Sequence, residues 1–280
     1  MAPDSSPTLR IGIIIAAAGR SERFGGQDKL GQDLGGRPLL LRTVEPFTKR
    51  SEVTSIVVAA PPDRLDEFRL RYGDQLGFHG ARIVAGGERE RWETVRNALG
   101  EIPDNCTHIG IHDAARPVVS EAMLDRVFLA AARLDAVVPA VPIVGTIKRV
   151  SLETSEAVSF VDRDPIADRL LGDAAPASKR ESELGRPVVE TIDRRGVMEM
   201  QTPQVFAAAL LRAAFAQLEA TDDVTDDAMV VERYAGGGQR VYVVEGDPAN
   251  IKVTRPSDLR LVRALMGLKQ PAERPTHKRF

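Results

Sequence analysis

A chain of 280 residues, 43% hydrophobic and 28% charged, can bury a sizeable α/β core as one domain. Its 38 basic and 40 acidic residues nearly cancel, which argues against a polyanion-binding surface for nucleic acid and leaves any phosphate affinity to local groups. The single cysteine, Cys106, excludes an internal disulfide framework, and the early apolar run at 11–18 is too short to span a bilayer.

In chain order, Met1 to Arg10 is polar, with no charged, apolar and cleavable series, so a cytoplasmic protein is expected. Leu9 to Ala18 is an uninterrupted apolar run ending in small residues, the pattern of a buried parallel strand. Similar runs recur at Val53–Ala60, Ala81–Ala85, His108–His112, Ala136–Val141 and Arg240–Val244. Between them, helical spacing covers Leu39–Thr48, Pro62–Tyr72, Arg91–Leu99, Glu121–Leu134, Phe206–Leu218 and Pro256–Leu265. Strands alternating with helices predict crossover units and a doubly wound, mostly parallel sheet of Rossmann-like type, layered α/β/α. Residues 1–268 are read as a single domain, with 143–195 as a protruding β-arm carrying an insertion at 150–187 and 269–280 as a polar tail. Cys106, just before an apolar run, is read as a buried structural thiol.

Ligands of such a sheet sit beyond the carboxyl ends of its strands. After the first strand comes Ala16-Ala17-Ala18-Gly19-Arg20-Ser21-Glu22-Arg23-Phe24, then Lys29-Leu30. Small residues admit close backbone approach, and Arg23 and Lys29 add charge suited to a triphosphate. Neither the lysine-bearing P-loop pattern nor the dinucleotide G-x-G-x-x-G occurs there, and an ordinary strand-to-helix loop is the plain alternative. The apolar strand Ile109-Gly110-Ile111 ends in His112-Asp113-Ala114-Ala115-Arg116-Pro117. Asp113 is placed to hold Mg²⁺, or another divalent cation, against phosphates, with a helix N-cap as the alternative. His112 has no neighbours at ligand spacing and is read as structural. Late in the chain, Thr191-Ile192-Asp193-Arg194, Gln201-Thr202-Pro203-Gln204 and Asn250-Ile251-Lys252-Val253-Thr254 supply cations and hydroxyls suited to a phosphomonoester.

These strings occur in a fixed order: A-A-G-x-x-x-R-F…K-L; G-G-x-x-x-R…T-V at 86–95; H-D-A-A-R-P at 112–117; T-I-K-R at 146–149; T-I-D-R at 191–194; Q-T-P-Q-V-F at 201–206; T-D-D-A at 225–228; and N-I-K-V-T at 250–254. The ordered set resembles the 2-C-methyl-D-erythritol 4-phosphate cytidylyltransferases of the non-mevalonate isoprenoid pathway, from about Ile11 to about Leu268. The resemblance implies a nucleotide-diphospho-sugar transferase-like fold, and CTP and a small phosphorylated polyol as substrates. It also implies that Ala17, Ala18, Gly19, Gly87, Thr94 and Ala114 receive the nucleoside, while Arg23 and Lys29 offset charge on the α-phosphate. Asp113 would carry the metal, and Arg116, Thr146, Arg194, Thr202 and Lys252 would bind and aim the acceptor. Of these, Arg23, Lys29, Arg194 and Lys252 are the catalytic candidates. A homodimer through the arm is implied too, with Thr146 and Arg194 serving the partner's site. A ribitol 5-phosphate cytidylyltransferase and a catalytically silent nucleotide-binding module are the rival readings; retention of Lys29, Asp113 and Lys252 weighs against the second.

Overall fold

The structure, a computed structural model, describes residues 9–19, 24, 28–152, 159–162, 178–181, 186–219, 222–234 and 240–268. Arg23, most of the 150–187 insertion and the 269–280 tail lie outside the described residues. The chain divides into two compact units, Met1–Val141 with Glu199–Phe280, and Pro142–Met198.

The larger unit is organised on β1 (Ile11–Ala16), in which every residue before the last is fully enclosed. β-Branched side chains fit a pleated surface covered on both sides. Their alternation sorts the core: Ile11, Ile13 and Ile15 join one apolar cluster, and Ile14 joins the other. In β2 (Val53–Ala60) the same division sends Ile56, Val58 and Ala60 one way and Val57 and Ala59 the other. Helices α1 (Leu39–Thr48), α2 (Leu65–Phe78) and α4 (Glu121–Ala131) cover the first face, and α3 (Arg91–Leu99) the second. Further along the chain, α5 (Ala208–Ala216) and α6 (Asp227–Tyr234) join α3, while α7 (Pro256–Leu265) joins the first layer. The result is three layers, helix on sheet on helix.

With β3 (Ala81–Ala85), β4 (His108–Asp113), β5 (Ala136–Pro142), β10 (Met198–Met200), β11 (Gln204–Ala207) and β12 (Tyr242–Glu245), the sheet among the described residues runs β10-β5-β11-β4-β1-β2-β3, and β12 also pairs with β5. The pairs β1–β2, β1–β4, β2–β3 and β5–β12 are parallel. β11 is antiparallel to both β4 and β5, which corrects the reading of Phe206–Leu218 as wholly helical: residues 204–207 are strand and the helix begins at Ala208. The register Ala16↔Asp113 sets the turn after β1 beside the end of β4. Backbone hydrogen bonds lace the turns at this edge: Ala17 N to Ala59 O at 2.9 Å, Gly86 N to Ala60 O at 2.8 Å and Ala114 N to Ala16 O at 3.2 Å.

The smaller unit is built from antiparallel pairs. β6 (Ile147–Val150) pairs β9 (Val188–Ile192), with a register irregularity between Arg149 and Val150, and β7 (Ser159–Asp162) pairs β8 (Ser178–Glu181). Arg149 meets Glu190 and Lys148 meets Thr191 across the first ladder. Among the described residues, no helix is long and apolar enough to cross a membrane.

Candidate active site

At the carboxyl edge of the sheet a cavity of about 280 Å³ opens between the turns after β1, β3 and β4. Ala16, Ala17, Ala18 and Gly19 form one wall, the 87–91 turn with Thr94 another, and Asp113, Ala114 and Ala115 the floor; Lys29 and Lys252 also line it.

The turn after β3 is tightly specified. A Cβ on Gly87 would lie 2.3 Å from Glu93 Cβ and 2.7 Å from Thr94 N, so only glycine lets this backbone pass the start of α3. Gly87 N donates to Thr94 Oγ1 at 3.0 Å. The amides of Arg89 and Glu90 both donate to Glu93 Oε2, at 2.9 and 3.2 Å. Glu93 thereby ties the turn after β3 to the first turn of α3. Ala17, Ala18, Gly87 and Thr94 leave room at this end of the cavity for a flat heterocycle.

Positive charge is gathered around Asp113, whose residue is 6% exposed. Its Oδ2 meets Lys252 Nζ at 3.0 Å and Arg116 Nε at 3.1 Å, and its Oδ1 meets Arg91 Nε at 3.4 Å. Burial alone would push this carboxyl up, but Arg91, Lys252 and Arg116 outweigh it and hold the group far below the usual carboxylate range. Asp113 is thus an obligate anion inside a cationic ring. Arg91 also grips Asp227 at 2.6 Å. Burial pushes the Asp227 carboxyl up against the pull of Arg91, with Asp113 and Asp226 adding to the rise.

Each member of the ring is anchored. Arg116 is buried and donates through Nη1 to Asn250 O at 2.8 Å. Asn250, fully enclosed, donates to Thr202 O at 2.9 Å, and Val253 N bonds Ala115 O at 2.8 Å, so the 250–253 segment is stitched beside the end of β4 with Lys252 facing the cavity. Asp258 Oδ2 then accepts from Thr254 N and Arg255 N, each at 2.8 Å, and starts α7. Thr202 Oγ1 accepts from Asp113 N at 3.1 Å and pairs with His112 Nδ1 at 2.9 Å. His112 Nε2 lies 3.2 Å from Arg116 O, and burial pushes the imidazole down to about 4, which keeps it neutral and structural. Asp28, next to Lys29, accepts from Tyr72 Oη at 2.8 Å and pairs with Arg71 at 2.5 Å, tying the lysine-bearing turn to α2.

Of the residues singled out from sequence, Ala17, Ala18, Gly19, Lys29, Gly87, Thr94, Asp113, Ala114 and Lys252 line this one cavity. Arg116 and Thr202 stand behind it, in contact with Asp113. Thr146 and Arg194 belong to the smaller unit, where both are exposed and Arg194 donates to Val144 O. Sequence reasoning does not single out Arg91 or Asp227, although both fall inside the ordered strings, G-G-x-x-x-R and T-D-D-A.

The chain matches the family model described as IspD, 2-C-methyl-D-erythritol 4-phosphate cytidylyltransferase, over residues 11–167 and 177–268. A protein of that name from Frankia casuarinae is 38% identical over 275 residues, 97% of this chain and 86% of the relative. One from Bacteroides fragilis is 33% identical over 254 residues, 90% of this chain and 98% of the relative. The crystal structure of the 2-C-methyl-D-erythritol 4-phosphate cytidylyltransferase from Thermus thermophilus is similar with a TM-score of 0.61 at 28% identity, covering 93% of this chain and 100% of that one. The 4-diphosphocytidyl-2C-methyl-D-erythritol synthase structure from Anaerococcus prevotii shares the fold with a TM-score of 0.70 at 24% identity, covering 93% and 97%.

Proposed function

The chain belongs to the 2-C-methyl-D-erythritol 4-phosphate cytidylyltransferase family, and from that premise we infer that it joins the cytidylyl group of CTP to 2-C-methyl-D-erythritol 4-phosphate, releasing pyrophosphate, in non-mevalonate isoprenoid biosynthesis. The observation that carries this reading is the meeting of a small-walled turn, a glycine-dependent turn after β3 and a cation-ringed carboxylate in a single cavity. The base lies along Ala17, Ala18, Gly19, Gly87 and Thr94, with the ribose against Ala114, and the triphosphate runs toward Lys29 and Lys252. A pocket whose polar groups are matched to one base edge rejects others by leaving those groups unpaired.

In the reaction, an oxygen of the acceptor phosphate forms a bond to the α-phosphorus as the bond from that phosphorus to the β-bridging oxygen breaks. The electron pair leaves with pyrophosphate. No enzyme nucleophile is needed, so the protein contributes position and charge. Lys29, and Arg23 by family resemblance, offset the negative charge that builds on the α-phosphate oxygens. Lys252 aims the acceptor, with Arg116 and Thr202 holding Asp113 and the 250–253 segment in place, and Arg194 and Thr146 complete acceptor binding from the arm of a partner subunit in a homodimer.

Nucleotidyltransferases generally use a divalent cation, and the residues fit one. Asp113 is an ionised carboxylate on the cavity floor, and its Oδ1 makes a longer contact than those of Oδ2. No group of three acidic, histidine or cysteine side chains able to hold a metal ion occurs among the described residues. Mg²⁺ takes one or two carboxylates and completes its octahedron with water and phosphate oxygens, so Asp113 would serve as its protein ligand. When bound, the ion supplies charge neutralisation along the triphosphate.

Purified protein given CTP, Mg²⁺ and either 2-C-methyl-D-erythritol 4-phosphate or ribitol 5-phosphate tests the assignment by pyrophosphate release and product mass. Turnover with the methylerythritol acceptor is expected. Preference for the ribitol acceptor, or CTP binding without turnover of either, overturns it.

A further inference from the structure

We propose that Asp227 is a positioning residue for the reaction: it holds the Arg91 guanidinium on the Asp113 carboxylate and so fixes the orientation of the group at the centre of the cationic ring. The inference deepens the cytidylyltransferase reading and rests on it.

Arg91 is the member of the ring least held by Asp113 itself. Its side chain is 28% exposed and its contact to Asp113, at 3.4 Å, is the longest of the three. A guanidinium held only by that contact would exchange it for water. Asp227 prevents this. Its side chain is 1% exposed, and its Oδ2 takes Arg91 Nη1 at 2.6 Å, so one planar fork spans two carboxylates and its orientation is determined at two points.

The residues on either side of Asp227 are held by the strand beside Asp113. Ala228 N donates to Gln204 Oε1 at 3.0 Å, and Gln204 Nε2 donates to Asp226 Oδ2 at 2.9 Å, which docks the first turn of α6 onto β11. β11 pairs with β4, the strand that ends in Asp113. The loop of contacts Asp113, Arg91, Asp227, α6, β11 and β4 is therefore closed, and its two carboxylates keep a fixed spacing.

Stability alone does not account for this arrangement. Asp227 Oδ1 is buried without a hydrogen-bond partner, and Asp113 and Asp226 lie close enough to oppose its charge. A buried pair of this kind is a weak source of folding free energy, and an apolar replacement of similar volume is often no less stable. What the charge supplies is direction for Arg91.

The test compares wild type, Asp227→Asn and Arg91→Lys, alone and combined, by steady-state kinetics with CTP and the methylerythritol acceptor, CTP affinity by calorimetry, and thermal midpoint. Asp227→Asn keeps the shape and removes the charge; Arg91→Lys keeps the charge and removes the fork. Each is expected to lower kcat by about 10²-fold, the scale for a small misplacement of a reacting group, with CTP affinity changing by less than about threefold. The double variant should be no slower than the worse single variant, because both break one relay. Lowered thermal midpoints with wild-type kcat, or losses that multiply in the double variant, overturn the proposal. If Asp227→Asn does not fold, Arg91→Lys alone decides it by the same split between kcat and CTP affinity. A wild-type protein that turns over neither acceptor overturns the functional reading and this inference together, whereas active wild type with unaltered variants overturns this inference alone.

Discussion

Replacing Asp113 by asparagine removes the anion on which three cations converge, at 3.0, 3.1 and 3.4 Å. Deleting one partner of a buried ion pair costs about 3–5 kcal/mol, because the partner is left charged and out of water. Lys252, with 40% of its side chain exposed, can turn toward solvent and Arg91 keeps Asp227 as its partner, whereas Arg116 at 8% exposed can do neither. The lower end, about 3 kcal/mol, therefore applies. In a domain of this size each kcal/mol moves the thermal midpoint by about 2–4 °C, giving a drop of about 6–12 °C for Asp113→Asn. The pH dependence follows from the sign of the shift. The folded carboxyl is held below its unfolded value, so its contribution is complete above the unfolded pKa of about 3.9 and is lost as the pH falls below that toward the folded value. The gap between wild type and variant should be constant from about pH 7 to pH 5 and close below about pH 4. Calorimetric or fluorescence melts across that range read it, together with a kcat loss of about 10²- to 10³-fold. A midpoint within about 2 °C of wild type at neutral pH, or a gap that widens on acidification, refutes the reasoning.

Lys29→Ala should lower kcat by about 10²-fold through loss of one preorganised charge-stabilising group, measured by pyrophosphate release; wild-type-like turnover removes Lys29 from the reaction. Gly87→Ala forces a Cβ into Glu93 and Thr94, an overpacking cost of about 1–3 kcal/mol that should appear mainly as a raised KM for CTP. An unchanged KM would place the base elsewhere. Thr202→Val leaves the Asp113 amide and His112 Nδ1 without their shared hydroxyl and should destabilise the fold by about 1–3 kcal/mol in urea titrations. A neutral effect would show that the hydroxyl does not hold the end of β4.

Much of this arrangement is legible in the sequence because strand ends are where a parallel sheet offers its ligands. Lys29, Asp113 and Lys252 each follow or end an apolar run, so their convergence on one cavity could be anticipated from the order of the runs. β11 could not be read in the same way. Gln204–Ala207 leads without a break into the apolar spacing of α5, and a four-residue antiparallel strand carries no periodicity of its own. The eight-residue α6 was equally silent, being too short for a repeat. Arg91 and Asp227 stand 136 positions apart, and their ion pair is a consequence of β11 docking beside β4 that no local pattern announces. Nor does Thr202 declare from sequence that its hydroxyl serves a buried backbone amide, since a threonine beside a proline is equally suited to an exposed turn.

The claim on which the account depends is that the α-phosphorus of CTP lies at the cationic end of the cavity, among Lys29, Lys252 and Asp113, with the base against Gly87 and Thr94. A crystal structure with CTP and Mg²⁺ bound measures this directly. The account predicts the α-phosphate oxygens within hydrogen-bonding reach of Lys29 Nζ and the base beside the turn after β3. A nucleotide bound the other way round, with its phosphates at the start of α3, or bound outside this cavity, would contradict it.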